Sequence, residues 1–179
     1  HAGKLESRTE LIGNFERIVK LFPTSEHIER AKKMIEVLSR MVAEDKTHQA
    51  IPDEALSKLP VDRQVEELIF RLRDQNGHQW GQPGWCSVFD MRTDGGSPAH
   101  RLAKIGNEAV PQLIESLNDT RLSRSVGFHR DFRFSHTVLT TGDCAQQILN
   151  RITGRSFYAP QSTSSYMSRD EEVAATQKV

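Results

Sequence analysis

One eight-residue pattern constrains this chain more than any other feature. An alanine or valine is followed, three, four and seven positions later, by Leu, Met or Ile. It appears at residues 31–38 (Ala31, Met34, Ile35, Leu38), 65–72 (Val65, Leu68, Ile69, Leu72), 110–117 (Val110, Leu113, Ile114, Leu117) and 145–152 (Ala145, Ile148, Leu149, Ile152). The spacing places each set on one face of a helix. A short helix cannot bury such a stripe alone, so the copies must find helical neighbours. Successive copies are offset by 34, 45 and 35 residues, within or near the period of helical repeat arrays. The flanks extend the match. Leu72-Arg73-Asp74 parallels Leu117-Asn118-Asp119, and His100, Leu102 and Gly106 recur 36 residues on as His136, Val138 and Gly142.

The best-defined copy, residues 97–119, reads as two short helices back to back. Ser97 caps the first, Pro98 suits its opening turn, Leu102 and Ile105 give it an apolar edge, and Gly106 ends it. Asn107 caps the second, and Pro111 falls in a first turn that tolerates it. Upstream, Ser7 with Glu10 forms a capping box for a helix striped by Leu11, Phe15, Ile18, Val19 and Phe22. Pro23 breaks that helix, and Thr24 or Ser25 caps a longer one running from Ile28 to Val42. Residues 44–52 read as a link. Asp53 caps a short helix, a second helix spans 62–74, and residues 135–154 hold a fourth pair whose last helix Asp143 caps. Beyond residue 159 the chain is polar and tail-like, with Ser168 and Glu171 placed to cap a short final helix.

The run IGNEAVPQLIESLND resembles the second half of a HEAT repeat, and TGDCAQQILNRITG resembles a further, degenerate copy. The resemblance covers residues 97–154 and extends to 53–74. Residues 74–158 also resemble HEAT-like bacterial domains of unassigned function. It implies an all-α fold, a right-handed α–α superhelix of HEAT/armadillo type. About four helix pairs and two long inter-repeat loops would form one domain over 1–158: an N-terminal hairpin at 7–46, repeats at 53–158 and a tail at 159–179. Arrays of this kind serve mostly as scaffolds and binding surfaces.

Composition narrows the function classes. With 179 residues the chain suits one domain, and 36% hydrophobic against 27% charged residues fits an elongated helical array with much exposed surface. Lys+Arg and Asp+Glu each number 24. No bulk charge therefore draws the chain to nucleic acid or a membrane, and no apolar run approaches the roughly 20 residues that span a bilayer. The chain opens at His1 rather than methionine. That reads as an altered native start, which leaves a removed targeting segment and the compartment open. Cys86 and Cys144 are the only cysteines, without metal-type spacing; a disulfide and two free thiols are both open.

The two insertions, residues 77–96 and 120–134, follow the second helix of consecutive repeats, so stacking predicts that they emerge side by side. Both are longer than an ordinary connection and rich in aromatics: Trp80, Trp85 and Phe89 in one, Phe128, Phe132 and Phe134 in the other. Four arginines lie between 121 and 133 against one acid, Asp131. Planar guanidinium groups suit carboxylate and phosphate. The sequence thus nominates His78, Trp80, Trp85, Arg124, His129, Arg130 and Asp131 as a binding surface. The structural alternative is a mini-core in which the aromatics plug the array edge and the arginines pair internally.

The expected function is a non-enzymatic binding or scaffold module, recognising an anionic group on a protein partner or small ligand. No catalytic residue, metal or cofactor is assigned. His129-Arg130-Asp131 matches a kinase triplet, but the required Asn five residues beyond is missing. A metal site from His78, Cys86, His129 and His136 lacks short-range ligand spacing. The competing class is an enzyme in the same pocket. It would act either by base excision of the DNA-glycosylase type, with tryptophan, Arg130 and Asp131, or by Cys/His chemistry. Zero net charge weighs against the first.

Overall fold

The computed structural model of the chain describes residues 2–77, 86–89, 96–128 and 136–155. The chain divides into two compact units, His1–Ala50 and Ile51–Val179. The described residues are mostly helical, with one small antiparallel sheet. No described helix is long and apolar enough to cross a membrane.

The first unit is a helical hairpin of α1 (Ala2–Leu21) and α2 (Ile28–Thr47), which lie along one another. Helix α1 starts at Ala2, so Ser7 falls inside it and is not its cap; residues 2–6 contain no proline to delay the start. Pro23 does stop it, and Phe22 N donates the last helical bond to Ile18 O at 2.9 Å. The cap position of α2 is His27, with Ser25 Oγ accepting from His27 N within the turn at 3.3 Å. Ala31, Val37, Leu38 and Met41 of α2 are buried. Arg8, buried near the start of α1, pairs with Asp45 near the end of α2, which fixes the two helices antiparallel.

The second unit opens with α3 (Asp53–Leu56) and α4 (Val61–Arg71), which tightens into a 3₁₀ turn at Leu72–Asp74. Helix α5 (Pro98–Ile105) follows. A 3₁₀ turn at Gly106–Ala109 leads to α6 (Val110–Glu115), which ends in its own 3₁₀ turn at Ser116–Asn118. The caps of α5 form as the sequence implies: Ser97 Oγ accepts from His100 N, Pro98 occupies the first turn, and Gly106 closes the helix at φ 77°, a left-handed value that glycine adopts without strain. Asn107 does not cap α6, because the 3₁₀ turn carries the chain into the helix with Ala109 at the cap position. Asp53 sits within α3 and does not cap it. Its carboxylate accepts from Arg71 Nη1 and Arg101 Nη1, each at 2.6 Å, tying α3, α4 and α5 together. Those hydrogen bonds, Arg101 first and Arg71 second, hold its acid below the ordinary value.

The clearest departure from the sequence reading lies after residue 120. Part of the second insertion is β1 (Leu122–Phe128), and the expected first helix of the fourth pair is β2 (His136–Thr140), leading directly into α7 (Thr141–Thr153). The strands pair antiparallel with Leu122 opposite Thr140, Val126 opposite Val138 and Phe128 opposite His136, with an irregularity between Leu122 and Val126. HTVLT is dominated by β-branched residues, which favour the extended form. Thr140 then caps α7 through a reciprocal box: its side chain accepts from Asp143 N, and Asp143 Oδ2 accepts from Thr140 N at 2.7 Å. Asp143 thus takes the third helical position, and Thr140 is the cap. His136 lies on a strand where His100 lies on a helix, so that flanking match carries no shared structure.

The stripes themselves face inward. Val65, Leu68, Ile69, Leu72, Leu113, Leu117, Ala145, Ile148 and Leu149 join Leu56, Val88, Ala99, Leu102, Ala109 and Cys144 in one buried cluster, with Val110, Ile114 and Ile152 packed against it. Leu113→Ala, at a fully buried position, is expected to cost about 2–5 kcal/mol as a core cavity. Denaturant unfolding of the full chain measures it; a near-neutral result would remove the stripe from the core.

Candidate functional site at the roots of the two insertions

Where α4 runs out, the chain leaves the helix through Gln75, and this side chain is buried. A buried primary amide is costly unless its donors and acceptor are all engaged. Here they are. Gln75 Nε2 donates to Val88 O at 2.9 Å and Asn76 O at 2.8 Å, and its Oε1 accepts from Ala99 N at 3.1 Å, at the start of α5. The main-chain oxygen of the same residue accepts from Arg124 N at 3.1 Å and Ser125 Oγ at 2.9 Å, both on β1. One residue therefore gathers the first insertion, the next helix and the second insertion.

A second glutamine holds the other side of the first insertion. Gln147, on α7, donates from Nε2 to Cys86 O at 2.8 Å and accepts at Oε1 from Val88 N at 3.0 Å. The short segment 86–89 is thus clamped from α7 and from the end of α4. Val88 is fully buried in the core. Phe89 packs against that core, edge-on to His100 with ring centroids 5.3 Å apart, and Arg151 stands 5.6 Å from its face. His100 is itself held by Ser97 Oγ, 2.9 Å from Nδ1.

Strand β1 carries Ser123, Ser125 and Gly127 on its buried face. Small residues let the strand approach the main chain of 75–77 closely. At Gly77 the fit leaves no room for a side chain. A Cβ there would stand 2.6 Å from Cys86 Sγ and 2.8 Å from both Cβ and Oγ of Ser125. The two insertions therefore meet at their roots, with Gly77 between Cys86 of one and Ser125 of the other.

Two arginines at the start of the second insertion are occupied. Arg121 donates from Nε to Asp119 Oδ2 at 2.7 Å and from Nη2 to the same carboxylate. Arg124 donates from Nε to Asp74 Oδ1 at 3.2 Å. Asp74 and Asp119 are the two acids that follow the apolar stripe in equivalent flanks, so each flank binds one arginine of the β1 segment.

Of the residues the sequence nominates, Arg124 is placed, exposed beside Asp74. His78, Trp80 and Trp85 in the first insertion, and His129, Arg130 and Asp131 in the second, lie outside the described residues. Sequence reasoning missed Gln75, Gln147, Gly77, Ser123 and Ser125. The alternation in LSRSVGF was the available signal for the serines, but a lone glutamine after a helix gave none. Among the described residues, no group of three or more His, Cys, Asp or Glu side chains could hold a metal ion.

No family model, no curated protein and no solved structure matches this chain.

Both cysteines are free and buried. Burial pushes the Cys86 thiol above its ordinary value. It pushes Cys144 up to about 12, against the opposing hydrogen bond from Ser123 and with Asp143 and Cys86 adding to the rise. The first-turn position of Cys144 on α7, which by itself would favour thiolate, is overridden by burial. Neither sulfur is an activated nucleophile.

Two outcomes follow for experiment. Gly77→Ala should destabilise the chain by about 1–3 kcal/mol through overpacking, and Cys86→Ala in the same chain should recover part of that loss. Equal melting of Gly77→Ala and wild type would show that the approach is looser than described. For the thiols, a pKa raised on folding means that the unfolded chain releases the proton first. The Cys144 contribution is therefore fully present below the unfolded value of 9.0 and declines between there and about 12. Thiol labelling of the native chain at neutral pH should be slow at both cysteines and rapid after denaturation; fast native labelling would contradict this burial.

Proposed function

We propose that this chain is a non-enzymatic interaction module. In this reading it is a HEAT-like, right-handed array of helix pairs. The surface raised by residues 77–96 and 120–134 recognises an anionic group on a protein partner or small ligand. The observation that carries the reading is the meeting of the two insertion roots at Gln75 and Gly77, with Arg124 N, Ser125 Oγ and Cys86 Sγ all at that junction. Segments rooted together on a rigid scaffold are well placed to act as one surface. The array reading draws support from the inward stripes of α4, α6 and α7 and from the paired use of Asp74 and Asp119. Within it, β1 and β2 replace the first helix of the last pair.

Arg124 is exposed, and its bond to Asp74 is a partly solvated pair that a stronger anion can compete for. Trp80, Trp85, His129 and Arg130 complete the proposed contact set. The burial of both thiols weighs against the Cys/His alternative, because a nucleophile needs an accessible thiolate.

The test uses a built-in reporter. The chain has two tryptophans, Trp80 and Trp85, both in the first insertion, so all indole emission originates there. Titration with inorganic phosphate, sulfate and phosphorylated peptides should produce a saturable change in that emission. Arg124→Ala with Arg130→Ala should abolish the change while unfolding shifts by about 1 kcal/mol or less. No response to any anion, or a double variant that unfolds, would overturn the reading.

A further inference from the structure

Cys86 and Cys144 are the only cysteines of the chain, 58 positions apart, and both are free thiols buried in the second unit. The fold brings their two segments together. Cys144 lies in the first turn of α7, and Gln147 follows it by three residues, so the two share one helix face. Gln147 donates from Nε2 to Cys86 O at 2.8 Å and accepts at Oε1 from Val88 N at 3.0 Å. The main chain of Cys86 is therefore held against the face of α7 that carries Cys144.

Strand β1 meets both thiols from the other side. Ser123 and Ser125 are buried and the intervening Arg124 is exposed, so the two serines share one strand face. Residues two apart on a strand are separated by about 7 Å. Cys144 is hydrogen-bonded to Ser123. Cys86 Sγ and the side chain of Ser125 flank one point, the place of a Cβ on Gly77, at 2.6 and 2.8 Å from it. One thiol thus stands at each of two neighbouring serines, and Cys144 lies in the electrostatic field of Cys86. Serine side chains are small, so that face sets no bulky group between the sulfurs.

We propose that Cys86 and Cys144 are a disulfide-forming pair, oxidised by a small disulfide of the glutathione class. Cys86, 3% exposed against 0% for Cys144, loses its proton to solvent and reacts first. Its sulfur bonds to one sulfur of the reagent, and the other sulfur leaves as a thiolate. Cys144 then loses its proton, and its sulfur displaces the second small thiolate from Cys86. Two protein thiols are oxidised to one disulfide while one small disulfide is reduced to two thiols. The new bond joins residues 86–89 to α7, making covalent the attachment that Gln147 supplies by hydrogen bonds. It is independent of what the insertions bind.

Burial raises both thiols above their ordinary values, so exchange in the folded chain is slow and the equilibrium is the informative quantity. The full chain is equilibrated with mixtures of reduced and oxidised glutathione, folded and in concentrated urea. It is then acid-quenched, alkylated and cut with trypsin without reduction. Cleavage at arginine separates the cysteines into residues 74–92 and 134–151, which should be recovered as one cross-linked species. In an unfolded chain two such distant thiols meet at an effective concentration of about millimolar. The folded pair should exceed the urea-unfolded value by about tenfold or more, and the oxidised chain should unfold at higher urea than the reduced one. An effective concentration no greater than in urea would overturn the proposal. So would glutathione retained on Cys86 without ring closure, linkage between two chains, or an oxidised chain that unfolds at lower urea.

Discussion

A fully engaged amide in a dry place governs the second unit. Once Gln75 is buried, its three amide hydrogen bonds and the two received by its carbonyl oxygen have to form together. A missing partner would leave a desolvated polar group, at a cost of about 1–3 kcal/mol. Such bonds also demand direction and distance, which apolar contact does not. Residues 86–89, the first turn of α5 and strand β1 are therefore positioned relative to one another by a single side chain and its own main chain. Gln147 repeats the device from α7. Between them the two glutamines locate a short segment of irregular backbone that has no ladder of its own.

Electrostatics then registers the strand on the helices. The 3₁₀ turns ending α4 and α6 place Asp74 and Asp119 near Arg124 and Arg121. Main-chain bonds from Thr141 N to Arg121 O and from Gly142 N to Asp119 O then seat α7 beside the same corner. Arginines that look available for an external anion in the sequence are in part the fastenings of the sheet. The exposed pair, Arg124 with Asp74, is the more readily exchanged; Arg121 and Asp119 are the more enclosed.

The helices were legible because their stripes repeat at 3.6 residues and their ends carry Ser97, Pro98 and Gly106, whose backbone preferences act locally. Helix edges decided by neighbours were not legible: Ser7 has the composition of a cap but lies within α1, and Asn107 falls in a 3₁₀ turn. The hairpin of β1 and β2 escaped for a different reason. LSRSVGF alternates as a strand should, but its buried side is Ser, Ser and Gly, and the exposed side carries Val126. The usual inference of apolar inside and polar outside is inverted. The repeat period, extended one step too far, then claimed residues 135–140 for a helix. The roots of the two insertions meet at Gln75 and Gly77. The glutamines that enforce this meeting could not be seen, because a buried amide is recognised by its surroundings and not by its neighbours in the chain.

The small buried face of β1 also bears on how the chain folds. Ser123, Ser125 and Gly127 offer little apolar area, so the strand gains little from hydrophobic collapse. Its attachment depends on contacts such as Ser125 to Gln75, which close a loop of 50 residues. Loop closure of that length is an entropic cost met before any directional bond is made. The helices close loops at least as long, but offset that cost with large apolar stripes. The sheet is therefore expected to dock after the helical core. A chain arrested before that step would already hold its helical core while its two insertions remained unjoined.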